Sequence, residues 1–406
     1  MYGLIGEKLG HSYSKGIHEQ LADYTYNLIE LTKEQLHEFL CEKKFHAVNV
    51  TIPYKQIVIP YLDELDVFAS KIGAVNVIVN KEGYLKGYNT DYYGFRYMLD
   101  YHKIAICNRK VVVLGVGGAS KAVRAVLADM QASDIIFVHP KGKDGITYEE
   151  CYEKHCDADV IVNTTPVGMY PNNDHSPIEL PKFTQLESVV DVVYNPLKTK
   201  LIVEAELMGL KVCGGLMMLV AQAKEAVEIF TGKKICDSVI ERITKELEKE
   251  KRNLVLIGMP SCGKSTIGKL LAEQLHCPFI DMDEEIVKKA GKSIPDIFKE
   301  DGEPYFRDLE TQVAKEVSKN TSVVISCGGG VVKKVENILS LKQNGILLYI
   351  KRDIDKLLSD NSRPLSSSKE AIFKLYEERY ILYEKYSDRM IENNGTIIEV
   401  VRRIFE

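Results

Sequence analysis

Three times along this chain a short apolar run ends in glycine and gives way to a helical pattern: YGLIG at 2–6, VVVLGVGGAS at 111–120 and NLVLIGMPSCGKST at 253–266. Runs this short, apolar on both faces, are strands covered on both sides, and a helix after each returns the chain for another parallel strand. DIIFV (134–138) and DVIVN (159–163) continue the pattern, with the helical-period segment SKAVRAVLADM (120–130) preceding them. Strand–helix alternation at this spacing predicts an α/β fold with parallel sheets and right-handed crossovers. The restarts mark three blocks: residues 1–101, residues 109–214, and a third beginning at 253. A long helix is expected from about Gly215 to Phe230, stopping at Thr231-Gly232. The charged stretch ELEKEKR (246–252) reads as the exposed end of a helix acting as a linker.

The 406 residues, 45% hydrophobic and 27% charged, suit a soluble globular chain of two or three domains. Residues 1–250 carry 28 basic against 34 acidic side chains and the remainder 25 against 24. Neither part has the basic excess that displaces counterions from a nucleic acid, which argues for small-molecule partners and against nucleic acid. No apolar run reaches the roughly 18 residues of a membrane span, and MYGLIGEKLGHS lacks the basic and apolar regions of a secretion signal. The nine cysteines are scattered without a CxxC pair; Cys151, His155 and Cys156 cluster but lack a second pair of metal ligands. The expectation is reduced thiols in a cytoplasmic protein, with the oligomeric state left open.

GMPSCGKST satisfies G-x-x-x-x-G-K-[ST] through Gly258, Gly263, Lys264 and Ser265, between an apolar strand and the helical TIGKLLAEQL. Glycines let backbone N–H groups converge on phosphate, the helix start adds positive potential, Lys264 reaches the terminal phosphates and the Ser265 hydroxyl is a Mg²⁺ ligand. Further on, DMD (281–283) offers Asp281 and Asp283 at a strand end, FRDLE places Arg307 and Glu310 on one helix face, GGG (328–330) allows backbone contact, RPL carries Arg363 in a Ser-rich stretch, and Arg379 sits on a late helix. This ordered set, GKST, DMD, FR-x-x-E, GGG, RPL and R-x-x-x-Y-E, resembles shikimate kinase over residues 253–406. The resemblance implies a P-loop domain with a parallel sheet and ATP-dependent phosphorylation of the shikimate 3-hydroxyl. It implies that Asp283 polarises the hydroxyl and that Asp283, Arg307, Gly329 and Arg379 bind the substrate. It assigns ATP to Ser261, Cys262, Gly263, Lys264, Ser265, Thr266 and Arg363, with Arg363 also on the transferring phosphoryl. Mg²⁺ falls to Ser265 and to Asp281, directly or through water. The stretch between Arg363 and Arg379 is short for the family.

The first two blocks carry HS-x-S (Ser12, Ser14), NVT-x-P-x-K (Asn49, Thr51, Lys55), GA-x-N (Asn76), NTD (Asn89, Thr90, Asp91) and the GxGGAS turn. A lysine near an aspartate can protonate a developing alkoxide, and Ser, Thr and Asn can hold a polyhydroxylated ring. With N-x-T-x-x-G-M (163–169), DVVYNP-x-x-T (191–199) and GG-x-x-M-L-V-x-Q (214–222), the pattern resembles shikimate dehydrogenase over roughly residues 1–240. That resemblance implies reversible hydride transfer between NADPH and the C3 carbonyl of 3-dehydroshikimate, with Lys55 as acid/base and Asp91 as its partner. Ser12, Ser14, Thr51, Lys55, Asn76, Asp91, Tyr194 and Gln222 would bind substrate. Gly115, Val116, Gly117, Gly118 and Ala119 would take the pyrophosphate, with Val192 and Gly215 by the nicotinamide. The implied organisation is a substrate-binding domain (1–101, with helices from 215–245 packing back), a Rossmann-like NADP domain (102–214), a linker (246–252) and a kinase domain (253–406).

Two departures bear on this. Lys15 follows Ser14 where the family has proline, and His139-Pro140-Lys141 replaces the Asn-Arg-Thr that receives the adenosine 2′-phosphate. Lys141 and Lys143 supply charge there without arginine's bidentate fork, yet no acidic residue ends the strand as NAD enzymes prefer. The leading expectation is a bifunctional NADP- and ATP-using enzyme. The alternatives are an NAD-using quinate/shikimate dehydrogenase fused to the kinase, or a non-catalytic sensor, which would have lost Lys55, Asp91, Lys264, Ser265 and Asp283; all five are present.

Overall fold

The structure, a computed structural model, describes residues 1–10, 12–357 and 368–405. His11 of HS-x-S and Arg363 with its RPL motif therefore lie outside the described residues. The chain divides into two compact units: Met1–Met169, His175–Asn195 and Glu204–Leu247 form one, and Tyr170–Asp174, Pro196–Val203 and Glu248–Glu406 the other.

The first unit holds two sheets. One contains β1 (Tyr2–Gly6), β2 (Tyr26–Glu30), β3 (Ala47–Val50), β4 (Glu64–Leu65), β5 (Val77–Lys81) and β6 (Tyr84–Tyr88), in the order β2-β1-β3-β5-β6-β4. The second contains β7 (Lys110–Leu114), β8 (Asp134–Val138), β9 (Val160–Asn163), β10 (Ser188–Asp191) and β11 (Lys211–Cys213), in the order β11-β10-β9-β7-β8. The helices are α1 (Ser14–Leu21), α2 (Lys33–Glu42), α3 (Val67–Ile72), α4 (Asp91–Tyr101), α5 (Gly118–Asp129), α6 (Tyr148–Lys154), α7 (Lys200–Leu207), α8 (Leu216–Thr231) and α9 (Ser238–Lys251). The second sheet is parallel throughout, as expected. The first is not: β3 pairs antiparallel with β5, and β5 with β6. Only two residues, Glu82 and Gly83, connect β5 to β6, both at positive φ, and a turn that tight permits a hairpin but no crossover helix.

Burial follows the apolar runs. Val111 to Leu114 of β7 are fully buried, each contributing on the order of 2 kcal/mol of transfer free energy. Helix α8 ends at Gly232 in the left-handed conformation, as the Thr-Gly stop predicts. Its long apolar face packs on α4, where a Cβ at Gly94 would lie 2.6 Å from the Met218 carbonyl. Glycine there lets the two helices touch backbone to backbone. Residues 246–251 are the last turns of α9.

The second unit is built on β12 (Asn253–Ile257), β13 (Phe279–Asp281), β14 (Val324–Ser326), β15 (Gly345–Lys351) and β16 (Arg389–Glu392), all parallel in the order β13-β14-β12-β15-β16. Its helices are α10 (Lys264–Leu275), α11 (Met282–Ala290), α12 (Ile294–Glu300), α13 (Gly302–Val317), α14 (Val335–Leu341), α15 (Lys369–Tyr386) and α16 (Ile397–Phe405). One expectation needs correction. Asp283 is not on a strand end beside Asp281: β13 stops at Asp281, whose carboxylate accepts from the Asp283 N–H at 3.0 Å and so caps α11. Asp283 stands in the first helical turn because an aspartate at the cap position favours helix start over strand continuation.

Candidate active sites

The turn after β3 carries Lys55, and two long-range bonds hold it. Tyr54 is fully buried with its hydroxyl on the Leu31 carbonyl at 2.5 Å, and the Lys55 carbonyl accepts from the Val75 N–H at 2.7 Å. With the backbone pinned on both sides, the Lys55 ammonium reaches Asp91 Oδ2 at 2.6 Å. Asp91 opens α4, is only 2% exposed, and keeps its other oxygen on Asn76 Nδ2 at 3.1 Å. The Asn76 amide also donates to Thr90 Oγ1 at 3.1 Å and accepts from the Thr90 N–H at 2.8 Å. Asn89 accepts from the Asp91 N–H at 3.0 Å and donates to the Ala74 carbonyl at 2.9 Å. The carboxylate is thus aimed at Lys55 by a buried, satisfied network, which removes the alternatives a surface ion pair would sample.

Other expected residues gather around this pair unevenly. Gly118 opens α5 beside it: a Cβ there would sit 4.0 Å from Lys55 Cδ. Gly115 needs its positive φ of 98°, and a Cβ on Gly117 would meet nothing within 4 Å. No side chain caps α5, so its first N–H groups stay available to an anion, and these features fit a dinucleotide pyrophosphate. Gly215 lies so close to Val192 that a Cβ would be 2.2 Å from the Val192 carbonyl. Gln222 on α8 abuts Gly94, one turn beyond Asp91. Tyr194 packs its ring against Tyr13, 5.3 Å between centroids, which places it beside Ser12 and Ser14; burial raises its hydroxyl pKa. Ser14 starts α1, and its N–H donates to Ser12 Oγ at 3.2 Å. Thr51 stands at the head of the Lys55 turn with its N–H on the Ile5 carbonyl at 3.0 Å.

At the altered turn after β8, His139 Nδ1 accepts from the Lys141 N–H at 3.2 Å, so this ring serves the turn itself. Lys141 and Lys143 are exposed, as is Arg124 of α5, whose guanidinium lies 5.5 Å from the centre of the Phe137 ring. Among the described residues none of the three has an ion-pair partner, which leaves positive charge where a phosphate would need it.

In the second unit the loop between β12 and α10 runs through Gly258 (φ 144°), Ser261 (φ 61°) and Gly263 (φ 98°). Lys264 is buried and donates to the carbonyls of Gly258 at 2.9 Å and Met259 at 2.8 Å. Ser265 Oγ donates to Asp281 Oδ2 at 2.6 Å and lies 3.2 Å from Ser326 Oγ. These two oxygen donors meet at the head of an uncapped helix, the hard-ligand pairing that suits Mg²⁺. The Cys262 carbonyl accepts from Asn393 Nδ2 at 2.6 Å, which steadies the loop from β16.

The glycine turn after β14 closes against the rest. A Cβ on Gly328 would be 2.7 Å from Asp283 Oδ1, and one on Gly330 would collide with Arg307 Nη1 at 2.0 Å. Arg307 is only 7% exposed and is held by Glu310 at 2.9 Å and Glu303 at 2.9 Å. Burial pushes the Glu310 carboxyl up although Arg307 pulls it down, and its Oε1 has no hydrogen-bond partner among the described residues. Arg379, 2% exposed, keeps Nε and Nη2 without hydrogen-bond partners among the described residues, where its nearest carboxylate is Glu378 at 3.9 Å.

A family model described as "Shikimate dehydrogenase substrate binding domain" matches residues 4–78, and one described as "Shikimate kinase" matches residues 260–406. The chain is 42% identical over 247 residues to a shikimate dehydrogenase (NADP(+)) of Clostridium beijerinckii, covering 56% of this chain and 91% of that one. It is 48% identical over 158 residues to a shikimate kinase of Clostridium botulinum, covering 38% of this chain and 95% of that one. This chain belongs to both the shikimate dehydrogenase and the shikimate kinase families. The dehydrogenase part also matches the crystal structure of a chorismate mutase/shikimate 5-dehydrogenase fusion protein from Clostridium acetobutylicum, at 39% identity and TM-score 0.58, over 61% of this chain and 97% of that one.

Three side chains around the phosphate loop and Arg307 of the second unit escaped sequence reading. Glu303 grips Arg307 at i and i+4, a spacing visible in the sequence but shared by many surface pairs. Asn393 and Ser326 reach the phosphate loop from other strands, and no local signal announces them.

Proposed function

We propose that this chain is a bifunctional enzyme that reduces 3-dehydroshikimate to shikimate with NADPH and phosphorylates the shikimate 3-hydroxyl with ATP. The observation that carries the reading is the 2.6 Å pair of half-buried Lys55 with buried Asp91 beside the Gly118 turn, on the same chain as the buried Lys264 of a phosphate loop. NADPH, when bound, supplies the hydride. Lys55 hydrogen-bonds the carbonyl oxygen and gives it a proton as charge develops there, and Asp91 keeps the ammonium aligned. Ser12, Ser14, Thr51, Asn76, Tyr194 and Gln222 hold the ring, while Gly115 to Ala119, Val192 and Gly215 cradle the dinucleotide.

In the kinase, Asp283 orients the attacking hydroxyl and accepts its proton. Arg307, Arg379 and the Gly329 backbone hold the substrate carboxylate. Lys264 neutralises phosphoryl charge with the backbone of Ser261 to Thr266, and Ser265 and Asp281 would hold Mg²⁺. In this reading residues 1–101 with helices of 215–245 bind substrate, 102–214 bind NADP, 246–252 link, and 253–406 form the kinase. Small molecules are the partners, nucleic acid and membrane are not, and the protein works in the cytoplasm. A coupled assay with 3-dehydroshikimate, NADPH and Mg-ATP tests this: NADPH oxidation and shikimate 3-phosphate must both appear, and absence of either product sinks the reading.

A second reading, an NAD-using quinate/shikimate dehydrogenase fused to the kinase, draws on the His139 turn. Comparing kcat/KM for NADPH and NADH separates the two, and the free Lys141, Lys143 and Arg124 charges favour NADPH.

A further inference from the structure

The turn Gly328–Gly330 has no room for side chains. Asp283 crowds Gly328, Arg307 crowds Gly330, and Pro260 would lie 2.8 Å from a Cβ on Gly329. The backbone itself is therefore the surface presented between the arginines. Its chemistry depends on which way each peptide faces. A carbonyl turned toward Arg307 and Arg379 would satisfy the guanidinium groups and repel an anion. An N–H turned the same way adds a donor to theirs.

Tyr383 decides the orientation of one peptide. Its hydroxyl donates to the Gly329 carbonyl at 2.5 Å. The phenol is fully buried and stacks on Tyr349, with centroids 5.1 Å apart and planes at 23°. Because a trans peptide is planar, a carbonyl held toward Tyr383 turns the Gly330 N–H to the opposite side. None of the N–H groups of Gly328, Gly329 and Gly330 donates to another described residue, and Gly330 is buried. Buried backbone donors are nearly always paired, so the Gly330 N–H, without a partner among the described residues and beside two buried arginines, points to an anion. Arg379 lies one helical turn before Tyr383, so a single turn of α15 supplies both a cation and the lock on the glycine turn.

We infer that Tyr383 is a positioning residue for the kinase: its hydroxyl fixes the Gly329–Gly330 peptide so that the glycine N–H groups join Arg307 and Arg379 around the carboxylate of the substrate. This rests on the reading that this pocket takes the shikimate carboxylate.

The test compares full-length wild type and Tyr383→Phe for KM and kcat with shikimate, KM for Mg-ATP, and binding of shikimate and methyl shikimate by calorimetry. Loss of one charge-assisted backbone bond is expected to raise the shikimate KM and dissociation constant roughly tenfold. The kcat and Mg-ATP KM should stay within about twofold, and methyl shikimate affinity should be the same in both proteins. An unchanged shikimate KM overturns the role, as does an equal loss for both ligands or a parallel loss for Mg-ATP. If wild type binds the acid and its ester equally well, the pocket reading fails and takes the proposal with it. Tyr383→Met, which fills the same slot without a donor, carries the same comparison should the Phe variant not fold.

Discussion

Lys55 and Lys264 stand near the two glycine turns in opposite electrostatic settings. Lys55 faces a carboxylate at 2.6 Å whose second oxygen is already held by Asn76. Lys264 rests on two carbonyls of its own loop, and among the described residues no carboxylate pairs with it. The first charge is balanced and aimed, which suits a group that hands over and recovers a proton. The second is uncompensated and only parked, which suits a group that moves onto an incoming polyphosphate. What each lysine faces tells the two uses apart.

The largest expected effect breaks one side of this contrast. Lys55→Ala should lower dehydrogenase turnover about a thousandfold, within the range for losing a general acid, and leave kinase turnover within about twofold. Assays of both activities on one preparation check this, and loss of both would contradict independent sites. Lys264→Ala should do the reverse, cutting kinase turnover by roughly a hundredfold or more as an electrostatic donor is lost, with dehydrogenase turnover intact.

A third lysine, buried Lys224, sharpens the contrast by serving structure alone. Lys224 pairs with Glu228 at 2.8 Å, and Glu228 also takes Lys234 at 2.7 Å and the Ile235 N–H at 2.7 Å. Burial would raise the Glu228 carboxyl, but these hydrogen bonds outweigh it and bring the pKa down to about 2 from 4.5. A depressed carboxylate contributes stability that is present above the unfolded value and lost as pH falls through the folded one. Stability should therefore drop between about pH 4.5 and 2, by up to ~3 kcal/mol from this group. Glu228→Gln should lose a similar amount at pH 7 and flatten that acid limb, as denaturant titrations at several pH values would show. A wild-type acid limb retained in the variant would remove Glu228 as its cause.

The smallest effect concerns cofactor choice. NADPH should exceed NADH in kcat/KM by about tenfold or more, and replacing Lys141 and Lys143 by Ala should narrow the ratio a few fold. Because these lysines are exposed, added salt should narrow it too; an NADH preference in wild type would reverse the cofactor assignment.

Much of this was legible in the sequence where the chemistry is local. The loop from Gly258 to Ser265, the Gly115–Ala119 turn and the stop of α8 at Gly232 each depend on a few adjacent residues. The antiparallel β3–β5–β6 pairing was not legible, because buried strands read alike in either direction and only the short β5–β6 turn separates the cases. Asp283 was misplaced by reading DMD as strand, since the cap formed by Asp281 shows only when the chain turns into α11.

The amino-acid order alone determined which reactive groups this protein owns and which turns bend sharply enough to meet phosphate, because steric freedom and functional-group chemistry are properties of neighbouring residues. Tertiary structure decided which acid faces which lysine. Asp91 lies 36 residues from Lys55, and Tyr383 lies 54 from the carbonyl it holds. Orientation at those separations is set by what the core packs and which buried polar atoms must be satisfied, and no short stretch of chain contains that information.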